Sequence, residues 1–266
     1  MSEPSRRAAL PGVAWLHGYT MHSGIWSPLW ELLPDTRHVG IDLPRHGSAA
    51  QRPLPGSLHV LADEVADRML HEGCRTLVGL SFGSCVALQV ALDRPEVLDL
   101  LVLAAPTLAG PPDDPVARAK YLALYQLHRR TGAGAALARL WMADPPGIFA
   151  GLRAHAGPYA AMAQVVAQHP FLELVDGGMR ALTTEVHTRE QLEGLQVPVV
   201  VLVGTKDMPR FIENAALLAD AVPRCTVHTL QGAGHLPLLE EPITSARLLA
   251  AAFTLGRDPE RLVFQP

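Results

Sequence analysis

Residues 76–92 read TLVGLSFGSCVALQVAL, and this stretch decides the fold. Its first five residues are mostly apolar, as in a buried strand, and the residues from Phe82 onward have the composition of a helix. Between them lies GLSFG at residues 79–83, a G-x-S-x-G sequence whose glycines leave room for a sharp turn from strand to helix. The pattern predicts that Ser81 lies at this turn, above a helix N-terminus whose free N–H groups and positive dipole face the same region.

Strand and helix signals alternate on both sides of this stretch. Short apolar runs predict strands at residues 13–16, 37–43, 76–80, 98–104, 197–203 and 225–230. Apolar residues at helical spacing predict helices at residues 58–71, 82–92, 211–221 and 243–253. This order of strand, helix and strand predicts an α/β fold with a mostly parallel, doubly wound sheet.

The pattern changes between the two halves of the predicted sheet. Residues 106–190 are rich in Ala, Arg and His, show helical spacing, and contain no convincing strand. We therefore predict one α/β core formed by residues 1–105 and 191–266, with a helical insertion at residues 106–190. The length of 266 residues fits a single large domain of this kind.

Composition and charge exclude several classes of function. The formal net charge is −4 and there is no long basic block, which argues against nucleic-acid binding. No run approaches the roughly 18 apolar residues of a membrane span. The three cysteines, Cys74, Cys85 and Cys225, are widely spaced and odd in number, which favours a reduced, cytoplasmic protein over a disulfide framework. No H-E-x-x-H sequence is present and no G-x-G-x-x-G follows the first strand, so neither a metal nor a dinucleotide is expected.

Two further residues complete a pattern that favours nucleophilic catalysis. A serine hydroxyl is a weak nucleophile and needs an imidazole base, which a carboxylate in turn orients. Asp207 follows the strand predicted at 197–203, and His235 follows the strand predicted at 225–230. Taken singly, Ser81 could be a serine in a turn, Asp207 the cap of the following helix and His235 an ordinary loop histidine. Because the carboxyl ends of parallel strands meet at one edge of a sheet, the three together predict a catalytic site there.

Several motifs resemble those of the α/β-hydrolase superfamily, and the likeness covers nearly the whole chain. They are the GLSFG elbow, His17-Gly18-Tyr19 after the first strand, DLPRHGS at residues 42–48, and GAGHLPLLEEP at residues 232–242. In the third motif, Arg45 stands where the family usually has glycine. Since that glycine often relieves a tight turn, we expect the loop at residues 44–48 to differ in shape from that of the family.

The resemblance implies a role for each matching residue. Ser81 would be the nucleophile, His235 the base and Asp207 the residue that orients it, while the backbone N–H groups of Tyr19 and Phe82 would form the oxyanion hole. The ring of His17 would hold the oxyanion loop. The insertion would be a cap over the site, and the pocket candidates are His22, Trp26, Trp141, Phe149 and Tyr159.

A serine nucleophile favours acyl transfer. It argues against the branches of the superfamily whose nucleophile is an aspartate. The sequence thus predicts a cofactor-free serine hydrolase that cleaves a small to medium carboxylic ester or thioester. Three alternatives stay open: a C–C bond hydrolase, a non-hydrolytic lyase or synthase with the same residues, and a binding protein that senses a small ligand.

Overall fold

A computed structural model describes residues 10, 12–110, 115–177 and 184–256. Six strands form one sheet: β1 (Gly12–Leu16), β2 (Arg37–Ile41), β3 (Cys74–Leu80), β4 (Leu100–Ala104), β5 (Val199–Gly204) and β6 (Cys225–Leu230). Their order is β2-β1-β3-β4-β5-β6, and every neighbouring pair is parallel. The predicted α/β fold with a doubly wound, mostly parallel sheet is confirmed.

Helices connect the strands in the expected places. They are α1 (Ser27–Trp30), α2 (Leu58–His71), α3 (Phe82–Asp93), α4 (Pro115–Thr131), α5 (Ala135–Met142), α6 (Ala156–Gln168), α7 (Glu173–Asp176), α8 (Arg189–Glu193), α9 (Pro209–Ala221), α10 (Pro237–Glu240) and α11 (Pro242–Gly256). Short 3-10 turns lie at Ser23–Trp26, Gly47–Ala49, Pro95–Val97 and Gly151–Ala154. The helix predicted at residues 58–71 has the predicted bounds, and the other three predicted helices differ by a few residues at their ends.

Local chemistry accounts for the bounds of α2. The Ser57 side chain accepts a hydrogen bond from the backbone N–H of Val60 and so caps the helix N-terminus. The chain leaves the helix at Gly73, whose φ of +62° suits a residue without a side chain. One face of α2 is buried against α3, through apolar residues such as Leu61 and Met69.

The connections place helices on both faces of the sheet. Across the sheet, the chain moves from β1 to β2 towards one edge, and from β2 to β6 towards the opposite edge. Because crossovers between parallel strands are right-handed, α2, α3 and α9 lie on one face of the sheet. On the opposite face α1 packs against α11. There the fully buried Trp15 of β1 lies 5.4 Å from the ring of Trp26 and 6.3 Å from that of Phe253, between ring centroids.

The strand order creates one crevice at the carboxyl edge of the sheet. The chain leaves β1 for β2 on one side, and β3 pairs with β1 on the other. Leu16 lies opposite Gly79 in the β1–β3 register, so the loops that follow these two strands start side by side. In open α/β sheets, ligands bind at such a switch point.

A helical insertion, which we define as α4 to α7, lies in the chain between β4 and β5. Its residues contact the loops at the carboxyl edge of the sheet, as the hydrogen bond from Trp141 to Thr20 illustrates. The division into a core and a cap domain at residues 105/106 and 190/191 stays a prediction. Parts of both predicted units, at residues 1–9, 11, 111–114, 178–183 and 257–266, lie outside the described residues.

Across the described part of the chain, no helix is both long enough and apolar enough to cross a membrane.

Candidate active site

Ser81 occupies the sharp turn between β3 and α3. Its φ of +53° and ψ of −119° form a conformation that residues with side chains rarely adopt. The backbone N–H of Ser81 donates to the carbonyl of Ala104 at 2.9 Å, which ties the turn to β4. A Cβ at Gly79 would collide with the backbone of Gly83, and a Cβ at Gly83 would lie 2.5 Å from the carbonyl oxygen of His17. Both glycines of the G-x-S-x-G sequence are therefore required by close backbone packing.

A second serine supports this turn. The Ser84 hydroxyl donates to the carbonyl of Ser81 at 2.6 Å and accepts from the backbone N–H of Thr107 at 2.8 Å. It is fully buried and links the first turn of α3 to the segment that follows β4. The G-x-S-x-G pattern does not mark Ser84, the third residue of α3, and only its position three residues after Ser81 could have indicated its role.

Ser81, His235 and Asp207 form a continuous chain of hydrogen bonds. His235 Nε2 lies 2.9 Å from Ser81 Oγ, and His235 Nδ1 lies 2.9 Å from Asp207 Oδ1. The Asp207 Oδ1 atom also accepts from the backbone N–H of Met208 at 2.7 Å. The side chains of His235 and Asp207 are 2% and 0% exposed, so little water competes for these bonds. The three residues predicted to lie together do so.

Glu240 holds the loop that carries His235. Its carboxylate accepts from the backbone N–H of Gly234 at 2.5 Å and from that of Leu236 at 3.0 Å, on the two sides of His235. The ring of Phe211, on α9, lies 4.2 Å from the imidazole between centroids. Glu240 belongs to the motif GAGHLPLLEEP, but the sequence alone indicated no role for Glu240 or Phe211. Only the position of a glutamate five residues after the histidine, in a motif with few polar residues, could have indicated it.

The loop after β1 lies directly beside Ser81. A Cβ at Gly18 would lie 3.4 Å from Ser81 Cβ, so the chain passes close to the nucleophile candidate. The buried ring of His17 donates from Nδ1 to the Gly18 carbonyl at 2.9 Å and accepts at Nε2 from the backbone N–H of Leu43 at 3.0 Å. Burial lowers the pKa of His17 to about 4, which keeps the ring neutral and able to accept at Nε2.

Two backbone N–H groups in the segments beside Ser81 have no internal acceptor. They belong to Tyr19, in the loop after β1, and to Phe82, the first residue of α3; neither donates a hydrogen bond within the part of the chain that the structure describes. The first N–H groups of any helix lack internal partners, which makes Phe82 available to a ligand. The two predicted oxyanion-hole residues thus carry the free donors that such a site requires.

The loop at residues 42–48 has a left-handed turn at Arg45. The residue keeps the left-handed conformation expected of glycine, with a φ of +69°, and its guanidinium contacts the Asp176 carboxylate of α7 at 2.9 Å. Burial raises the pKa of Asp42, but hydrogen bonds from Ser23 and Ser48 outweigh this effect and lower it to about 2. The ionised Asp42 organises the loop, and Arg45 adds a contact with the helical insertion.

The five predicted pocket residues lie in three different parts of the structure. Trp141, Phe149 and Tyr159 lie in the helical insertion; Trp141 and Phe149 are buried, and the Trp141 ring packs edge-on against Tyr19 at 5.3 Å between centroids. Trp26 instead packs against Trp15 on the opposite face of the sheet, where its role is to fill the core.

His22 lies at the edge of a cavity beside the oxyanion loop. The cavity has a volume of about 260 Å³ and is lined by Thr20, His22 and Asp42 from the core and by Gln168 and His169 from the insertion. The His22 side chain also accepts from the backbone N–H of Gly24 at 3.1 Å and caps the 3-10 turn that follows. None of Ser81, Asp207 and His235 lines this cavity, so His22 lies beside the loop at residues 42–48 and is held by its own turn.

No described residues form a group of three or more histidine, cysteine, aspartate and glutamate side chains arranged to hold a metal ion. All three cysteines are free, and burial raises the pKa of Cys85 to about 12. The thiol of Cys85, four residues after Ser81, is thus a packing group in the interior of α3.

One class of protein combines a crevice at the carboxyl edge of the sheet, a serine at a strand-to-helix turn, and the arrangement seen for Ser81, His235 and Asp207. The chain belongs to the alpha/beta hydrolase family, whose sequence model matches residues 13–247. It is similar to the pimeloyl-[acyl-carrier protein] methyl ester esterase of Yersinia pseudotuberculosis, with 29% identity over 88% of this chain and 90% of that protein. A second such esterase, from Nitrosomonas europaea, is 28% identical over 87% of this chain and 91% of its own.

Solved structures share the fold. A thermophilic esterase from Thermogutta terrifontis superposes with a TM-score of 0.73 over 92% of this chain and 90% of that chain, at 24% sequence identity. At this level of identity the likeness concerns the fold alone.

Proposed function

We propose that this protein is a cofactor-free serine hydrolase that cleaves a small to medium carboxylic ester or thioester through an acyl-enzyme. The observation that carries the proposal is the hydrogen-bonded chain from Ser81 Oγ through His235 to Asp207, with 2.9 Å at both junctions. It lies at the switch point of the sheet, beside two free N–H donors. A nucleophile, its base and an orienting acid in this geometry are the requirements of acyl transfer.

In the first half of the reaction, Ser81 Oγ attacks the carbonyl carbon while His235 Nε2 takes the hydroxyl proton. Asp207 holds His235 in the tautomer with the proton on Nδ1 and stabilises the imidazolium. The N–H groups of Tyr19 and Phe82 donate to the oxyanion that forms on the carbonyl oxygen. When the tetrahedral intermediate collapses, the bond to the leaving alcohol or thiol breaks and His235 returns the proton to it.

In the second half, water replaces the leaving group. His235 takes a proton from the water as its oxygen attacks the acyl carbon, and the bond to Ser81 Oγ breaks. The proton goes back to Ser81, and the carboxylic acid leaves. Each step uses only the residues of the site and water, so the reaction needs no cofactor.

The bond type is the second part of the proposal. The relatives from Yersinia and Nitrosomonas are named as methyl ester esterases of an acyl group on a carrier protein. This supports an ester, with a small alcohol as the leaving group, over a C–C bond or a non-hydrolytic reaction. We further propose that the helical insertion acts as a cap and that Trp141, Phe149 and Tyr159 contribute its apolar lining.

A panel of substrates tests the proposal. p-Nitrophenyl esters from acetyl to dodecanoyl are compared with matched methyl esters, acyl thioesters and a β-diketone, for the wild type and for Ser81→Ala. We expect a burst of p-nitrophenol equal to the enzyme concentration, ester or thioester turnover by the wild type, and loss of both in Ser81→Ala. Turnover of the β-diketone alone, or ligand-induced stabilisation without turnover of any substrate, would contradict it.

A further inference from the structure

Tyr19 is joined to the helical insertion through its side chain. The Tyr19 hydroxyl donates a hydrogen bond to Oε1 of Glu173, the first residue of α7. The same oxygen lies 2.9 Å from His169 Nε2, and the side chains of Glu173 and His169 are each 1% exposed. Burial, and next to it the charge of Glu173, raises the pKa of Tyr19 well above its usual value, so the hydroxyl keeps its proton and remains a donor.

The next residue of the loop is held from the same side. Thr20 has a φ of +64°, a left-handed conformation that a β-branched residue adopts only when its surroundings impose it. Trp141 Nε1 donates to Thr20 Oγ1 at 2.8 Å, and the Thr20 hydroxyl donates to the carbonyl of Tyr19 at 2.7 Å. The backbone of Tyr19 and Thr20 is thus fixed at two points by the insertion.

We propose that Glu173 is a positioning residue for the oxyanion hole: by holding the Tyr19 hydroxyl, it sets the direction of the Tyr19 backbone N–H. The inference rests on the proposed function, in which that N–H donates to the oxyanion. It assigns the helical insertion a second role, since the insertion would complete the catalytic site as well as cover it.

The chemistry of the site argues against a merely structural role for this carboxylate. Glu173 Oε2 is buried and has no hydrogen-bond partner among the described residues, so the carboxylate is only half satisfied. A buried ionisable group of this kind is costly, and an apolar side chain of similar size often packs equally well or better. Leucine at this position could reproduce neither the bond to Tyr19 nor the contact with His169, and of the two only the bond to Tyr19 reaches the oxyanion loop.

The test separates stabilisation of the tetrahedral state from binding of the ground state. It uses an alkyl trifluoromethyl ketone, whose carbonyl carbon is attacked by Ser81 Oγ. The adduct places an oxyanion in the oxyanion hole, and the Ser81 proton moves to His235. The matched alkyl methyl ketone binds without forming the adduct to a comparable extent. Both inhibition constants, kcat, KM and the melting temperature are measured for the wild type, Glu173→Leu, Glu173→Gln and Asp176→Asn.

We expect Glu173→Leu to lower kcat by about 10- to 100-fold, somewhat less than the loss of an oxyanion donor itself. The affinity for the trifluoromethyl ketone should fall by the same factor, while KM and the affinity for the methyl ketone stay close to the wild-type values. The melting temperature should also fall, because the Tyr19 hydroxyl and His169 Nε2 lose a buried hydrogen-bond partner, and the ratio of the two ketone affinities separates this effect from the loss of oxyanion stabilisation. Glu173→Gln should recover most of the rate, because its amide oxygen still accepts from Tyr19. Asp176→Asn, on the same short helix, removes the carboxylate that contacts Arg45 and should keep kcat, KM and both inhibition constants within a few-fold of the wild-type values.

Three outcomes would overturn the inference. One is a Glu173→Leu variant with wild-type kcat and trifluoromethyl ketone affinity; another is equal loss of affinity for both ketones. If Glu173→Leu does not fold, Tyr19→Phe carries the same test, and an unchanged kcat in that variant is the third. A wild-type protein that neither hydrolyses esters nor binds the trifluoromethyl ketone at Ser81 would overturn the proposed function as well, which distinguishes the two failures.

Discussion

The backbone of Ser81 is held in a strained conformation by its neighbours, and this is where the fold bears most directly on chemistry. Strain at one residue persists only when the surrounding packing fixes it. Here the fixing contacts are the close approach of Gly83 to the strand β1 backbone and the bond from the Ser81 N–H to Ala104. The nucleophile candidate is therefore positioned by backbone packing rather than by its own side chain.

The first prediction compares two glycines at the second position of a helix. Gly83→Ala places a Cβ 2.5 Å from the His17 carbonyl oxygen and should lower the free energy of unfolding by about 1–3 kcal/mol, with loss of activity. Gly157→Ala, at the same position in α6, meets no atom within 4 Å and should be neutral or stabilising by up to about 1 kcal/mol. Chemical denaturation of both variants checks this, and equal effects would contradict it.

Asp207 is predicted to act through the tautomer of His235. In Asp207→Asn, the amide can donate to His235 Nδ1 and favour the tautomer with the proton on Nε2, which cannot accept the Ser81 proton. We expect kcat to fall by up to about 10⁴-fold with little change in melting temperature. Asp220→Asn, on the exposed side of α9, is the control and should keep kcat within a few-fold. Near-normal acylation in a folded Asp207→Asn variant would assign the acid role to another residue.

At the scale of elements, the loops at the carboxyl edge of the sheet determine the site. The loop that carries His235 has no regular structure of its own before α10, and Glu240 fixes it by accepting from two backbone N–H groups. A side chain from a neighbouring helix thus sets the position of the base. The same principle holds at Tyr19, where the fixing groups come from the insertion.

Removing this support is expected to affect both stability and rate. Glu240→Ala leaves the N–H groups of Gly234 and Leu236 buried without acceptors, at a cost of about 1–3 kcal/mol each. We expect a lower melting temperature and a lower kcat, because His235 is no longer held. Glu241→Ala, at the adjacent and less buried position, should change neither by much. A Glu240→Ala variant with wild-type melting temperature and kcat would refute the role.

The elements differ in how far the sequence could predict them. Strands such as β4 and β5 are marked by apolar runs, and α2 by its apolar stripe and the serine before it, so the sheet and its helices follow from local signals. The proximity of Ser81, Asp207 and His235 also follows, since parallel strands share an edge. Glu173 and Arg45 could not be assigned, because their partners are more than a hundred residues away in the chain. Trp26 was assigned to the pocket by the sequence, and only the tertiary structure shows that it packs against Trp15 in the core.

At the scale of the whole molecule, several buried histidines are neutral. Burial lowers the pKa of His17 and of His187 to about 4 and that of His46 well below its usual value. In the unfolded chain they bind protons near pH 6.5, so between pH 6.5 and about 4 the unfolded state binds more protons than the folded state. His59 has the opposite sign, since its bond to Asp93 raises its pKa, but its side chain is half exposed and contributes little.

The unfolding free energy should therefore fall as the pH is lowered from 6.5 towards 4. Each of the buried histidines contributes up to about 1.4 kcal/mol per pH unit in this window. His187→Gln, which removes one such group, should reduce the slope accordingly. Urea denaturation at several pH values measures both slopes. A flat profile over this window would show that the histidines are not buried in their neutral form.

In the proposed reaction, Ser81 carries the acyl group of the acyl-enzyme. The most direct measurement is acid quenching of the wild type and of Ser81→Ala within the burst phase with p-nitrophenyl acetate, followed by digestion and mass spectrometry. We expect an acetyl group on the peptide that contains Ser81 in the wild type, and on no peptide of Ser81→Ala. An acetyl group on a different residue of the wild type, together with undiminished turnover by Ser81→Ala, would contradict it.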